Sequence, residues 1–184
     1  MSDVQGLVQK DVDQTGEESG AAGRSSPSPA SPATDGIQPS QMFGELVGLM
    51  MQSPAHKHLS LIDLEWKLLP ALTARQFRVF RMQDEQGNER LIGAAFWAFV
   101  SPEVGEKLGS APRGLLKLRP DEWQCGDELW LVDLVGPPKL HTAMIDELRK
   151  TAFAGKSFSM RAVDKEGNIL VRQVAPEESG QKVQ

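Results

Sequence analysis

The sequence predicts an α/β or α+β domain over residues 41–175, built on a mostly antiparallel sheet flanked by helices. Three observations carry that prediction. Two pairs of apolar segments fold back around turn sequences, Asp84-Glu85-Gln86-Gly87-Asn88 and Asp164-Lys165-Glu166-Gly167-Asn168. The run Leu129-Trp130-Leu131-Val132-Asp133-Leu134-Val135 is nearly continuous in apolar residues and reads as a strand buried on both faces. Apolar residues at helical spacing occupy 42–50 and 140–152.

Residues 1–40 precede the domain. They hold no aromatic residue, six acids and two bases, and the low-complexity run Ser25-Ser26-Pro27-Ser28-Pro29-Ala30-Ser31-Pro32-Ala33. Such a segment buries too little apolar surface to offset the entropy of ordering it, so a disordered acidic tail is expected. A flexible C-terminus is expected over 176–184. From Ser40, a plausible cap, Met42, Phe43, Leu46, Val47, Leu49 and Met50 form a helical face running to about Gln52, with Pro54 just beyond the end.

Residues 60–69 are ambiguous. Ile62, Leu64, Trp66 and Leu68 alternate with Asp63, Glu65 and Lys67, which favours a strand; Leu61, Leu64 and Leu68 also fit a helix. Pro70 closes the run on either reading. Phe77 to Met82 and Leu91 to Val100 form the first hairpin, with the second strand central. Residues 102–108 suit one or two helical turns, and 111–114 a break. A helix is expected over 139–153, and a second hairpin pairs 157–163 with 169–174.

Composition limits the function. The chain of 184 residues carries a net charge of −5, mostly in the tail, so the domain is nearly neutral. Nucleic-acid binding through phosphates needs a basic stripe, and none is visible. A single cysteine, Cys125, excludes an internal disulfide and a cysteine-rich zinc site. No apolar run is long enough to span a bilayer, and the acidic start does not read as a secretory signal.

Few residues suggest chemistry. His56 and His58 lie in the loop Ser53-Pro54-Ala55-His56-Lys57-His58, and histidine is the usual general base near neutral pH. Two histidines without further ligands make a weak metal pair. His141 falls on a predicted helix and reads as exposed. Asp133 is conspicuous, because a carboxylate inside an apolar strand must be paired, hydrogen-bonded or neutral. A local cap at the strand end and a functional role weigh about equally, and His56 would be a suitable partner. Cys125 reads as a packing residue, and Asp127 as turn chemistry ahead of a strand. There is no Walker loop, Gly-x-Gly-x-x-Gly, Gly-x-Ser-x-Gly or His-Glu-x-x-His.

Taken in order, these segments resemble the RTX toxin-activating lysine acyltransferases, the hemolysin-activating protein family. The matching residues are Ser53-Pro54-Ala55-His56 after an apolar helix, Leu69-Pro70-Ala71-Leu72, Gln76-Phe77, Phe96-Trp97-Ala98, Trp123, Gly126-Asp127, Trp130-Leu131-Val132-Asp133 and Pro137. The resemblance covers roughly residues 42–165 and is that of a distant member. Phe96 stands where the family has serine, and the chain ends soon after the second hairpin.

The resemblance implies a GNAT-like acyltransferase fold and a cytoplasmic enzyme. That enzyme moves a fatty acyl group from acyl carrier protein to internal lysines of an RTX-type protoxin and so activates it. It implies catalytic roles for His56 and Asp133, a supporting role for Ser53, no metal, and no bound cofactor beyond the acyl-acyl carrier protein donor. A homodimer is left open. The acyl chain needs an apolar groove, for which Trp97 and Trp130 are candidates, although core packing is the plainer role for both. One alternative is a non-catalytic GNAT-like binding module for acyl carrier protein or a partner protein. Another is a transferase using acyl-CoA, but a Gly-rich pyrophosphate loop ahead of a helix is not visible.

Overall fold

The computed structural model describes residues 38–112 and 117–176. The expected tail, up to residue 37, and the expected flexible C-terminus, from 177 on, lie outside the described residues, as does the second half of the expected break at 111–114.

Helix α1 (Pro39–Gln52) buries Met42, Leu46, Leu49 and Met50. Ser40 does not cap it. Pro39 holds the first turn, where its fixed φ suits a helix start and its missing N–H costs nothing, and Gln38 is the N-cap residue.

The strand favoured at 60–69 is also corrected, since Leu61–Lys67 form helix α2. The deciding feature is local. Ser60 donates its backbone N–H and its hydroxyl to Asp63 Oδ2, at 2.9 and 2.7 Å, which makes a capping box that starts a helix. Leu64 and Leu68 then point inward, while Leu61 and Ile62 remain exposed. Pro70 closes nothing: it lies in the first turn of helix α3 (Leu69–Thr73).

Strands β1 (Phe77–Gln83) and β2 (Glu89–Val100) form the first expected hairpin. Helix α4 (Pro102–Ser110) follows, with Ser101 Oγ accepting from the Val104 N–H. A 3-10 turn at Pro120–Trp123 leads to β3 (Glu128–Val135), the expected apolar strand. Between them Gly126 crosses the end of β2, where a Cβ would lie 2.4 Å from the Val100 carbonyl oxygen; a side chain has no room there. After a short 3-10 turn, Pro138–Leu140, comes helix α5 (His141–Lys150). Strands β4 (Phe158–Val163) and β5 (Ile169–Val174) form the second hairpin.

The five strands lie in sequence order, β1-β2-β3-β4-β5. Every pairing is antiparallel except β3 with β4, which is parallel and needs the crossover that α5 supplies. Two apolar cores cover the two faces. On one, α1 to α4 pack on Ala94, Phe96, Ala98, Val100, Trp130 and Val135. On the other, Met144, Leu148 and Phe153 pack on Ala95, Trp97, Leu129, Leu131 and Phe158. This five-stranded mixed sheet flanked by helices agrees with the GNAT-like acyltransferase fold that the resemblance implies.

One irregularity in the sheet matters for function. Phe96 of β2 pairs with Asp133 and Trp97 with Leu131, so Val132 is an extra residue, a β-bulge. Side chains alternate across a strand, and Leu131 faces α5. Without the bulge Asp133 would face α5 too. With it, Asp133 shares the face of its partner Phe96, under α1 to α3.

Candidate active site

His56 sits in a tight turn where α1 stops. The Ser53 N–H closes the helix on the Met50 carbonyl, and the Ser53 carbonyl accepts from the N–H groups of His56 and Lys57, at 3.0 and 2.9 Å. Pro54 prevents the helix from continuing. The turn pushes the imidazole into the protein, leaving His56 only 8% exposed. His58, two residues on, points to solvent.

Both ring nitrogens of His56 are engaged. Nδ1 lies 2.8 Å from Ser53 Oγ. Nε2 lies 3.0 and 3.2 Å from the two carboxylate oxygens of Asp133, a residue 77 positions away in sequence. Asp133 is held by two further donors. Its Oδ1 accepts from the Leu134 N–H at 2.9 Å, and its Oδ2 accepts from Lys67 Nζ at 2.7 Å. Burial pushes the Asp133 carboxyl up, but the Lys67 ammonium and the contacts with His56 outweigh it and hold the group far below the usual carboxylate range. Asp133 is therefore ionised and carries no proton.

That fixes the imidazole. A carboxylate only accepts hydrogen bonds, so neutral His56 must carry its proton on Nε2, aimed at Asp133. Nδ1 is left with the lone pair and accepts from the Ser53 hydroxyl. The result is a line of Ser53, His56 and Asp133, with Lys67 behind the carboxylate.

The sequence predicted His56, Asp133 and Ser53, and the structure brings all three together. Lys67 is not among the residues the sequence points to, because the alternation at 62–68 makes it a polar position of a strand. The available signal was Asp133 itself: a carboxylate in an apolar strand calls for a cation, and Lys67 ends the helix that the Ser60–Asp63 box begins. Other expectations need correction. Cys125 is exposed rather than packed; its Sγ lies 3.3 Å from both the Ser101 N–H and the Glu122 carbonyl. His141 is half-buried rather than exposed, donating from Nε2 to the Gly136 carbonyl at 3.1 Å. Trp97 and Trp130 are both buried in the core, on opposite faces of the sheet, and cannot line one groove. Among the described residues, no group of three or more His, Cys, Asp or Glu side chains could hold a metal ion.

Residues 36–175, which include every residue of this site, match the model of the HlyC family, described as the RTX toxin acyltransferase family. The chain belongs to the RTX toxin acyltransferase family. It is the family that the ordered motifs resemble. This family member is 28% identical over 113 residues to the lysine-acyltransferase RtxC of Vibrio cholerae, across 61% of this chain and 69% of that one. It is 30% identical over 96 residues to the leukotoxin-activating lysine-acyltransferase LktC of a Pasteurella haemolytica-like species, across 52% of this chain and 53% of that one. An LktC of Mannheimia haemolytica is 29% identical over 96 residues. The match thus spans about half the length of the leukotoxin-activating relatives. Among the described residues of this acyltransferase-family chain, no helix is long and apolar enough to cross a membrane.

Proposed function

We propose that the protein transfers an acyl group from the thioester of acyl carrier protein to the ε-amine of a lysine in an RTX-type protoxin. The family and the names of its relatives support this reading: RtxC is a lysine-acyltransferase, and LktC a leukotoxin-activating one. The observation that carries it is the line Ser53–His56–Asp133, in which the carboxylate takes Nε2 and the Ser53 hydroxyl faces Nδ1. The donor puts the proposed reaction in the cytoplasm.

A lysine amine has a pKa near 10.4, so only about one in 2,500 is neutral at pH 7. Attack on a thioester therefore needs a base. In this reading His56 Nδ1 is that base, reached through the Ser53 hydroxyl, which stands 2.8 Å from it. The amine gives a proton to Ser53 Oγ as Ser53 gives its own to Nδ1. The new N–C bond forms, the C–S bond breaks, and His56 returns the proton to the departing thiolate. Asp133 holds the imidazole in the productive tautomer and stabilises the imidazolium formed in passing. Lys67 acts at one remove, keeping Asp133 ionised.

The same order of groups is that of a serine nucleophile with its base and acid, which gives a second reading. In it Ser53 takes the acyl group first and the lysine amine then removes it. Incubation with donor alone separates the two, because only the second leaves an acyl mass on Ser53.

The test is intact-mass spectrometry of a lysine-bearing protoxin fragment after incubation with acyl-loaded carrier protein. The wild type should add one acyl mass per target lysine. His56→Ala should slow that addition about 10²–10⁴-fold, the usual contribution of a general base. An unchanged rate in a folded His56→Ala variant refutes the mechanism, and no addition by the wild type refutes the transferase.

A further inference from the structure

A cavity of about 680 Å³ opens beside the turn that carries His56. Its walls come from three places: the end of α1, the turn end of the β1/β2 hairpin, and the segment that follows β3. Apolar side chains form most of the lining, among them Leu49, Met82, Leu91, Ile92 and Leu140. Neither Asp133 nor Lys67 lines it, and the imidazole does not enter it. Ser53 does.

Ser53 is thus shared between the cavity and the lone-pair side of His56. The two nitrogens of that ring look onto different surroundings. Nε2 faces the ion pair of Asp133 and Lys67. Nδ1 faces a hydroxyl on the rim of an apolar space. If proton transfer runs through Ser53, the thioester carbonyl must come to rest on the Ser53 side, because the amine that attacks it must touch that hydroxyl. The apolar cavity that Ser53 lines then lies open to the acyl chain attached to that carbonyl.

We propose that this cavity seats the aliphatic chain of the acyl donor, and that Met82 and Leu91 on its wall set the length of chain accepted. The inference rests on the acyl-transfer reading above. An acetyl group would leave such a space empty. A saturated chain gains about 0.8 kcal/mol for each methylene it buries, so a cavity of this size and lining selects for long chains. It replaces the groove expected at Trp97 and Trp130, whose rings lie in separate cores.

Met82 is the better residue to change, since it lines the cavity yet is 51% exposed and belongs to neither core. The experiment compares octanoyl, dodecanoyl and hexadecanoyl donors on carrier protein, with wild type, Met82→Trp and Leu91→Phe. Wild type should prefer hexadecanoyl over octanoyl. Met82→Trp should cut that preference, read as the ratio of hexadecanoyl to octanoyl rates, about tenfold or more, a size of effect expected when a pocket loses room for methylenes. A second readout is the affinity for a thioether analogue of hexadecanoyl-pantetheine, by calorimetry; Met82→Trp should weaken it about tenfold. If wild type transfers acyl groups but neither variant alters chain preference or analogue affinity, the cavity assignment is overturned and the transferase stands. If wild type transfers nothing, the transferase falls, and the calorimetry decides the cavity: analogue binding that Met82→Trp weakens keeps it, and binding that is absent or unaltered ends it.

Discussion

The two sides of the His56 ring are built in opposite ways. On the Nε2 side stand Asp133, Lys67 and the Leu134 N–H, brought by β3 and α2 from 11 to 78 positions along the chain. On the Nδ1 side stands a single hydroxyl three residues back, and beyond it an apolar cavity. The first side is crowded with charge and closed. The second is local, sparsely bonded and open. The difference assigns the work. A side filled by an ion pair sets which nitrogen holds the proton, and the side with one movable hydroxyl is where a substrate can approach.

The strongest way to break that division is Asp133→Asn. The amide has nearly the shape of the carboxylate, but its NH₂ group donates. Turned toward His56, it would force the proton from Nε2 to Nδ1 and remove the lone pair that faces Ser53. Transfer should fall about 10²–10⁴-fold while the fold persists. The ¹⁵N shifts of His56 should report the reversed tautomer directly. A variant that keeps both the Nε2-protonated tautomer and full activity would show that Asp133 does not govern the ring.

Lys67→Met sharpens the comparison by removing the charge behind Asp133 but not Asp133. The folded-state pKa of Asp133 lies below its unfolded value, so its stabilisation is present above the ordinary carboxylate range and is lost only as pH falls through the depressed value. Without Lys67 that folded value rises. The variant should lose about 1–3 kcal/mol at neutral pH. Its acid unfolding should begin at a higher pH than wild type, and the two should converge in strong acid. Urea unfolding at a series of pH values measures this, and a difference that stays constant across pH would exclude a role through Asp133. Transfer should fall less than in Asp133→Asn, with the loss growing toward acid pH.

The closed side was also the harder one to read in the sequence. Ser53 and His56 are three residues apart, and the turn between them follows from a helix stop and a proline. Both hairpins were legible for a similar reason. Each turns on an aspartate whose Oδ1 accepts from the N–H groups two and four residues on, in Asp84–Asn88 and Asp164–Asn168 alike, with a glycine at positive φ in each. Local chemistry of that kind leaves a local signature. The face on which Asp133 emerges does not. It depends on Val132 being one residue too many for β2, and only pairing between two strands reveals a bulge. Lys67 was hidden by a different conflict. Ile62, Leu64, Trp66 and Leu68 alternate as in a strand, Leu61, Leu64 and Leu68 fit a helix, and the capping box that decides between them occupies only Ser60 and Asp63. In the structure the helix wins, because Leu64 and Leu68 suffice to bury one helix face, and Ile62 of the alternating set stays in solvent with Leu61.

The smallest effect tests whether that box matters beyond starting a helix. Ser60→Ala removes the hydroxyl bond to Asp63 Oδ2 and leaves the backbone N–H bond in place. Loss of a cap contact of this kind costs about 0.5–1 kcal/mol, or about 2–4 °C in melting temperature for a domain of this size. The first turn of α2 should loosen, while Lys67, in the last turn, keeps its grip on Asp133 because Leu64 and Leu68 still anchor the helix to the core. Transfer should stay within about twofold of wild type, since the ring's two sides are unchanged. Thermal melting and the mass-spectrometric rate measure the two quantities together. A loss of activity as large as that of Lys67→Met would mean that the placement of α2 as a whole, and not the ion pair at its end, sets the charge on the closed side of His56.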